Sequence, residues 1–206
     1  MRTRAAAAND RGPTVREAVR GWPFWNLALS FGVTSIAIYC IAPQLIAYLL
    51  SRGFTAAQGA RVLAITSFLM PLGMIGFNWL ADRGGRMFAA GAAYLCTALG
   101  VVGLWLCESP DDLVPLAAFV LLYGSTMGSR GPMISTLATL RYRGAHLGRI
   151  YGLITTGMGI GGGLGAWLGG LAHDLTGGYG AVMLLSIASL GLGAATLVWE
   201  ARQHRR

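Results

Sequence analysis

Six apolar stretches alternate with short polar ones along this chain, at 24–50, 57–80, 87–106, 113–137, 148–171 and 181–199. Each is about 20 residues long or slightly more, the length an α-helix needs to cross roughly 30 Å of hydrocarbon. The pattern predicts an all-α integral membrane protein: a six-helix domain over 23–200, a basic arm at 1–22 and a basic tail at 201–206. Pro23 stands where a helix can start without losing a needed hydrogen bond. Trp22, Trp25, Trp79, Trp105 and Trp199 fall near the predicted ends, as interfacial anchors do. Short loops make successive helices antiparallel neighbours. The sixth helix is weakened by Gly191 and Gly193. Residues 1–20 carry five arginines but also Asp10, Glu17, Gly12 and Pro13, with no apolar core segment, so they read as a solvated, disordered arm rather than a signal peptide.

Composition sharpens the class. The 206 residues are 54% hydrophobic and only 12% charged, where a soluble domain carries about twice that share of charge. A net charge of +8 raises the question of nucleic acid, yet the arginines form no stripe interleaved with aromatics. They lie between and outside the apolar blocks. With the N-terminus in the cytoplasm, Arg2, Arg4, Arg11, Arg16, Arg20, Arg83, Arg86, Arg141, Arg143, Arg149, Arg202, Arg205 and Arg206 are inside and only Arg52 and Arg61 outside. The outer loop after the third helix is acidic, with Glu108, Asp111 and Asp112. That bias predicts a multi-pass protein of the cell membrane (an inner or plasma membrane) with both termini cytoplasmic.

Catalytic and metal chemistry find little support. Cys40, Cys96 and Cys107 fall in or beside apolar blocks, without CxxC or Cys/His spacing, and read as small buried hydrophobes. His146, His173 and His204 fall in predicted loops or the tail, and no Gly-x-Ser-x-Gly occurs, so an intramembrane serine protease is not supported. Gly161-Gly162-Gly163 follows no strand and precedes no Lys-Ser/Thr, which excludes a phosphate-cradling loop. The expectation is a protein that is not an enzyme and needs no cofactor or metal.

The segment between helices two and three carries the most specific signal. Gly76-Phe77-Asn78-Trp79-Leu80-Ala81-Asp82-Arg83-Gly84-Gly85-Arg86 places an acid, two arginines and a glycine turn between apolar runs, where their charge requires a membrane face. This pattern resembles the loop signature of the major facilitator superfamily of secondary transporters. An echo occurs at Gly170-Leu171-Ala172-His173-Asp174-Leu175-Thr176-Gly177-Gly178, with Asp174 and Gly177 matching Asp82 and Gly85. Each copy joins the second and third helix of a triplet. Three helices invert the topology, so the resemblance implies two inverted three-helix repeats, half of the superfamily's fold. The similarity runs from Thr14 to Arg202. Arg130-Gly131-Pro132, Gly148-Arg149-Ile150-Tyr151-Gly152 and Gly177-Gly178-Tyr179 are similar to the oxalate/formate and monocarboxylate branch.

Two departures stand out. Asn78 takes a position where the signature usually has glycine, and the family has twelve helices where this chain supplies six. The resemblance therefore implies a transporter half for a small organic anion such as a monocarboxylate, working by alternating access as a homodimer or with an N-terminal six-helix half. An inactive or truncated fragment and a non-transporting membrane scaffold remain the alternatives.

Within that frame Gly76, Asp82, Arg83, Gly85 and Arg86 form a conformational latch, with Asp82 capping the next helix or pairing with an arginine. Read blandly, they are topology and turn residues. Arg130 is expensive inside a span, at about 2.5–3.5 kcal/mol, and no acid in the fourth helix offsets it. It either binds an anionic substrate through bidentate hydrogen bonds or snorkels to the cytoplasm. Tyr123, Ser125, Thr126 and Ser129 add hydroxyls to the same helix. Thr34, Ser35, Tyr39 and Gln44 do so in helix one, where Pro43 interrupts the backbone. The substrate-binding set expected from these is Arg130, Tyr39, Gln44, Tyr123 and Ser129; each hydroxyl could instead bond its own helix. Gly157, Gly161, Gly165 and Gly169, four apart, strip one face of helix five for close helix packing.

Overall fold

The computed structural model describes residues 12–203, without the side chains of Arg130, Met133, Leu197, Val198 and Glu200 or of residues 201–203. The basic ends at 1–11 and 204–206 lie outside the described residues. The rest is helical, with no strand among the described residues.

Helix α1 (Val15–Arg20) opens the fold. Thr14 and Glu17 form its capping box: the Thr14 amide donates to Glu17 Oε2 at 2.8 Å, and the Glu17 amide to Thr14 Oγ1 at 3.4 Å. That backbone hydrogen bond holds the Glu17 carboxyl below the ordinary carboxylate range. The expectation of a disordered arm is thus corrected from Thr14 onward. Val15 and Val19 pack beside the buried Ala18 against Phe24, Leu27 and Ile150, and apolar burial on one face is what orders so short a helix.

Helix α2 (Trp22–Tyr39) follows with Pro23 in its first turn. It ends four residues before Pro43, whose ring would clash with the Tyr39 carbonyl. A 3₁₀ turn at Ala42–Gln44 leads to α3 (Leu45–Ser51). Helix α4 (Ala56–Gly84) starts from a second capping box, Thr55 with Gln58, and accommodates Pro71 internally. It outruns the expected end at 80, so Asp82 and Arg83 are helical. Gly85, with φ +89°, makes the turn into α5 (Arg86–Leu106).

The loop after α5 is fastened by Asp112, whose Oδ2 accepts the amides of Glu108 (3.0 Å) and Ser109 (2.9 Å). These backbone hydrogen bonds lower its pKa.

The fourth stretch, expected as one helix over 113–137, is divided. It comprises α6 (Leu113–Ala118), a π-helical turn at Phe119–Tyr123, α7 (Gly124–Met127) and α8 (Arg130–Arg141). The break at Gly128 and Ser129 lies one turn before Pro132, which lacks the N–H that would bond the Gly128 carbonyl.

Helix α9 (Leu147–Thr176) ends at Gly177, left-handed at φ +67°, whose amide donates to the His173 carbonyl at 2.8 Å. His173 and Asp174 are therefore in the last helical turns, not in a loop. Helix α10 (Gly180–Gln203) continues through Gly191 and Gly193.

Trp22–Ser51, Ala56–Gly84 and Arg86–Leu106 are each long and apolar enough to cross a membrane. Leu113–Met127 and Gly180–Thr196 are shorter apolar helices. Helix α2 packs most extensively on α9 and then on α10, while α4 packs on α7 and α5 on the π turn and α10. The main core joins Ile38, Leu45, Tyr48, Val101, Leu104, Phe119 and Met183.

Small residues set the closest approaches. On α9, a Cβ at Gly157 would stand 2.6 Å from the Ala28 carbonyl oxygen, at Gly165 2.7 Å from that of Ile36 and at Gly169 2.5 Å from that of Cys40. At Gly161 it would fall on the Gly32 carbonyl oxygen. Helix α4 buries only Gly59, Val62, Thr66 and Gly73, and Gly73 lies against the Ser125 backbone. The opposite face of α4 leaves Phe68, Ile75 and Trp79 more than half exposed, more apolar surface than a water-soluble helix presents.

Candidate functional site

The break between α7 and α8 and the upper half of α2 enclose a cavity of about 240 Å³. Phe31, Thr34, Ser35 and Tyr39 form its α2 wall, and Gly128 and Gly131 bring the backbone of the break to its edge. Met70 of α4, Met127 of α7 and Met158 of α9 close the remaining sides. The walls are mainly apolar and adaptable, since unbranched thioethers repack easily. The polar groups sit on α2. Thr34 Oγ1 lies 2.6 Å from the Tyr94 hydroxyl, and Ser35 Oγ donates to the Phe31 carbonyl at 2.8 Å. A few fixed polar groups in an apolar cleft are the usual makeup of sites that take small molecules.

The residues expected to bind substrate do not all meet here. Tyr39 lines the cavity. Arg130 opens α8 between the lining glycines Gly128 and Gly131; its side chain lies outside the described residues. Tyr123 is buried, and its hydroxyl donates across to the Ile38 carbonyl at 3.0 Å, tying the π turn to the end of α2. Ser129 is fully buried and donates to the Thr126 carbonyl at 2.9 Å. Gln44 packs instead against Gly169, its Nε2 buried without a hydrogen-bond partner among the described residues. The lining methionines and Phe31 escaped the sequence reading. Their one signal is position: Met127 adjoins Gly128, and Met158 stands between Gly157 and Gly159.

At the α4–α5 turn, Asp82 is exposed and in no ion pair among the described residues. It does not cap α5, whose N-cap is Gly85 without a side-chain bond. Helix α4 runs two residues past Asp82, which puts its carboxylate on a helical face instead of at the next N-terminus. The Arg83 guanidinium lies 4.5 Å above the Trp79 ring, a cation–π contact, and Arg86 begins α5 exposed. Gly76 faces open space. Asp174 has the corresponding place on α9: exposed, in the last turns, three residues before a positive-φ glycine. Beside it the His173 ring stacks on Tyr179 at 4.3 Å. No group of three or more His, Cys, Asp or Glu that could hold a metal occurs among the described residues.

The chain resembles known proteins over most of its length. It is 28% identical over 193 residues to monocarboxylate transporter 13 of Bos taurus, covering 91% of this chain and 44% of that protein. It is 27% identical over 180 residues to monocarboxylate transporter 13 of Rattus norvegicus, covering 85% and 41%. The chain therefore spans less than half the length of these relatives. A match to the sequence profile of the Major Facilitator Superfamily extends over residues 27–206, from within α2 to the last residue. With that match across an all-helical, membrane-length architecture, the chain belongs to the Major Facilitator Superfamily and is a membrane protein.

Proposed function

We propose that this chain is a six-helix transporter unit that binds a small organic anion, such as a monocarboxylate, and moves it by alternating access. The observation that carries this reading is the cavity at the broken fourth stretch, where Arg130 stands in the chain between two glycines that line it. A guanidinium there supplies a bidentate carboxylate partner, and the methionine-lined walls suit a short apolar tail. The two relatives, both monocarboxylate transporters by name, agree with this class of substrate.

The six stretches are taken as six spans in two inverted triplets. Three features support that pairing. The first helix of each triplet is broken, at 40–44 and at 128–129. The second helix of each ends in Asp-x-x-Gly with a positive-φ glycine. The first helix of each packs on the second of the other, α2 on α9 and α7 on α4. Six spans, with the arginine bias, support a topology in which both termini are cytoplasmic and the membrane is the cell membrane. Membrane-impermeant labels at engineered cysteines before Thr14 and after Gln203 should react from the same side of sealed vesicles; reaction from opposite sides requires an odd number of crossings and overturns the topology.

Rocking about a central cavity needs a second unit, either a second copy or an N-terminal six-helix half. The exposed Phe68, Ile75 and Trp79 face of α4 suits such a contact. Asp82, Arg83 and Arg86 act as the latch on the cytoplasmic side, a bias of about 1–3 kcal/mol between states sufficing.

Binding is testable without a complete carrier. Lactate or pyruvate at about 100 times its dissociation constant should stabilise the detergent-solubilised chain by about 2.7 kcal/mol. That stabilisation appears as a raised unfolding temperature, whereas a monocation of equal size leaves it unchanged. No shift with any small carboxylate points instead to a scaffold or an inactive fragment.

A further inference from the structure

A second concavity lies on the opposite side of α2, outside the proposed substrate path. It runs between α2 and α10 and encloses about 400 Å³. Trp22 and Trp199 stand at one end, each more than half exposed. Leu29 and Val33 form one wall, with Leu192 and Ala195 facing them. The amide of Asn26, the one polar side chain on the α2 wall, is turned across the groove, its Nδ2 donating to the Thr196 carbonyl at 3.2 Å. An occupant therefore meets an almost wholly apolar surface.

The dimensions choose among apolar occupants. From Trp22 to Val33 the helix rises about 16 Å, close to half the roughly 30 Å hydrocarbon thickness. The groove is thus one leaflet deep. Its tryptophan end matches the depth at which indoles settle among headgroups.

Charge chooses the headgroup. Helix α1 ends just before Trp22 and is tethered there by the Trp25 Nε1–H, which donates to the Val19 carbonyl at 2.8 Å. Its exposed face carries Arg16 and Arg20. The acid on that helix, Glu17, is occupied by the Thr14 amide. On the α10 side, Glu200 and Arg202 offset each other in the sequence.

We infer that this groove binds one anionic phospholipid, an acyl chain lying between α2 and α10 and the phosphate held at Arg16 and Arg20. The inference rests on the membrane topology proposed above and is independent of the substrate.

Native mass spectrometry of the chain, released from detergent containing equal phosphatidylglycerol and phosphatidylcholine, tests it. Wild type should retain one phosphatidylglycerol in preference to phosphatidylcholine by an order of magnitude. Ala195→Phe, which fills the groove, should lose that lipid. The double variant Arg16→Gln, Arg20→Gln should keep a lipid but bind both kinds equally, given roughly fivefold selectivity per arginine. Equal retention of the two lipids by wild type, retention of neither, or undiminished phosphatidylglycerol on Ala195→Phe overturns the site. The carboxylate-dependent stabilisation of Ala195→Phe should match wild type, so failure of the lipid site and failure of the substrate reading are separately visible.

Discussion

Leucine in place of Gly161 should destabilise the fold more than any other single change along α9, by about 3 kcal/mol or more. Even a Cβ at this position would fall on the Gly32 carbonyl oxygen, so the side chain cannot enter without α2 and α9 moving apart. Separation at that point also loosens the approaches at Ala28, Ile36 and Cys40, which share the face. Because backbone, not a flexible side chain, is in the way, little relaxation is possible. Gly159 and Gly163 alternate with this face and have nothing within 4 Å of a Cβ. Alanine at either should be neutral or stabilising by up to about 1 kcal/mol, from helix propensity alone. Thermal unfolding in detergent reads both effects. Should Gly161→Leu and Gly163→Leu unfold at the same temperature, close backbone packing is not what joins α2 to α9.

The second large effect is expected at Arg130. Arg130→Ala should reduce carboxylate flux by two to three orders of magnitude, in line with the roughly 2–5 kcal/mol lost when one partner of a buried charge-assisted pair is removed. Insertion and unfolding temperature should hold, since removing a guanidinium from a span relieves about 2.5–3.5 kcal/mol of insertion cost. Arg130→Lys should recover part of the flux, because an ammonium keeps the charge and loses the planar fork. Flux unchanged in Arg130→Ala removes this residue from the site.

Much of the architecture was legible in the residues because membrane insertion leaves coarse marks. Apolar length and the glycine-terminated Asp82 and Asp174 turns are such marks. Helix ends were less legible: α4 and α9 extend past 80 and 171, since a glycine able to adopt positive φ stops a helix more decisively than the first charge does. The cavity lining was the least legible, for two reasons. Hydroxyls on these helices look like site groups in the sequence, yet Tyr123 and Ser129 reach backbone carbonyls within hydrogen-bond distance. A helical hydroxyl usually finds such an acceptor before it finds a ligand. In addition, the π turn at Phe119–Tyr123 inserts an extra residue into the helical period. Every face assigned by a 3.6-residue repeat beyond it is rotated, and nothing in Phe-Val-Leu-Leu-Tyr announces that turn. The methionines that do line the cavity, Met70, Met127 and Met158, come from three separated stretches and share no spacing.

The central claim, that this fold supplies one wall of a route for small anions, is tested most directly by counterflow of labelled lactate into proteoliposomes. The protein should be reconstituted as it occurs, as a dimer or with its partner unit. Saturable accumulation driven by unlabelled lactate inside the vesicles is the predicted result. Entry no faster than in protein-free vesicles, from a folded and correctly oriented protein, would contradict it.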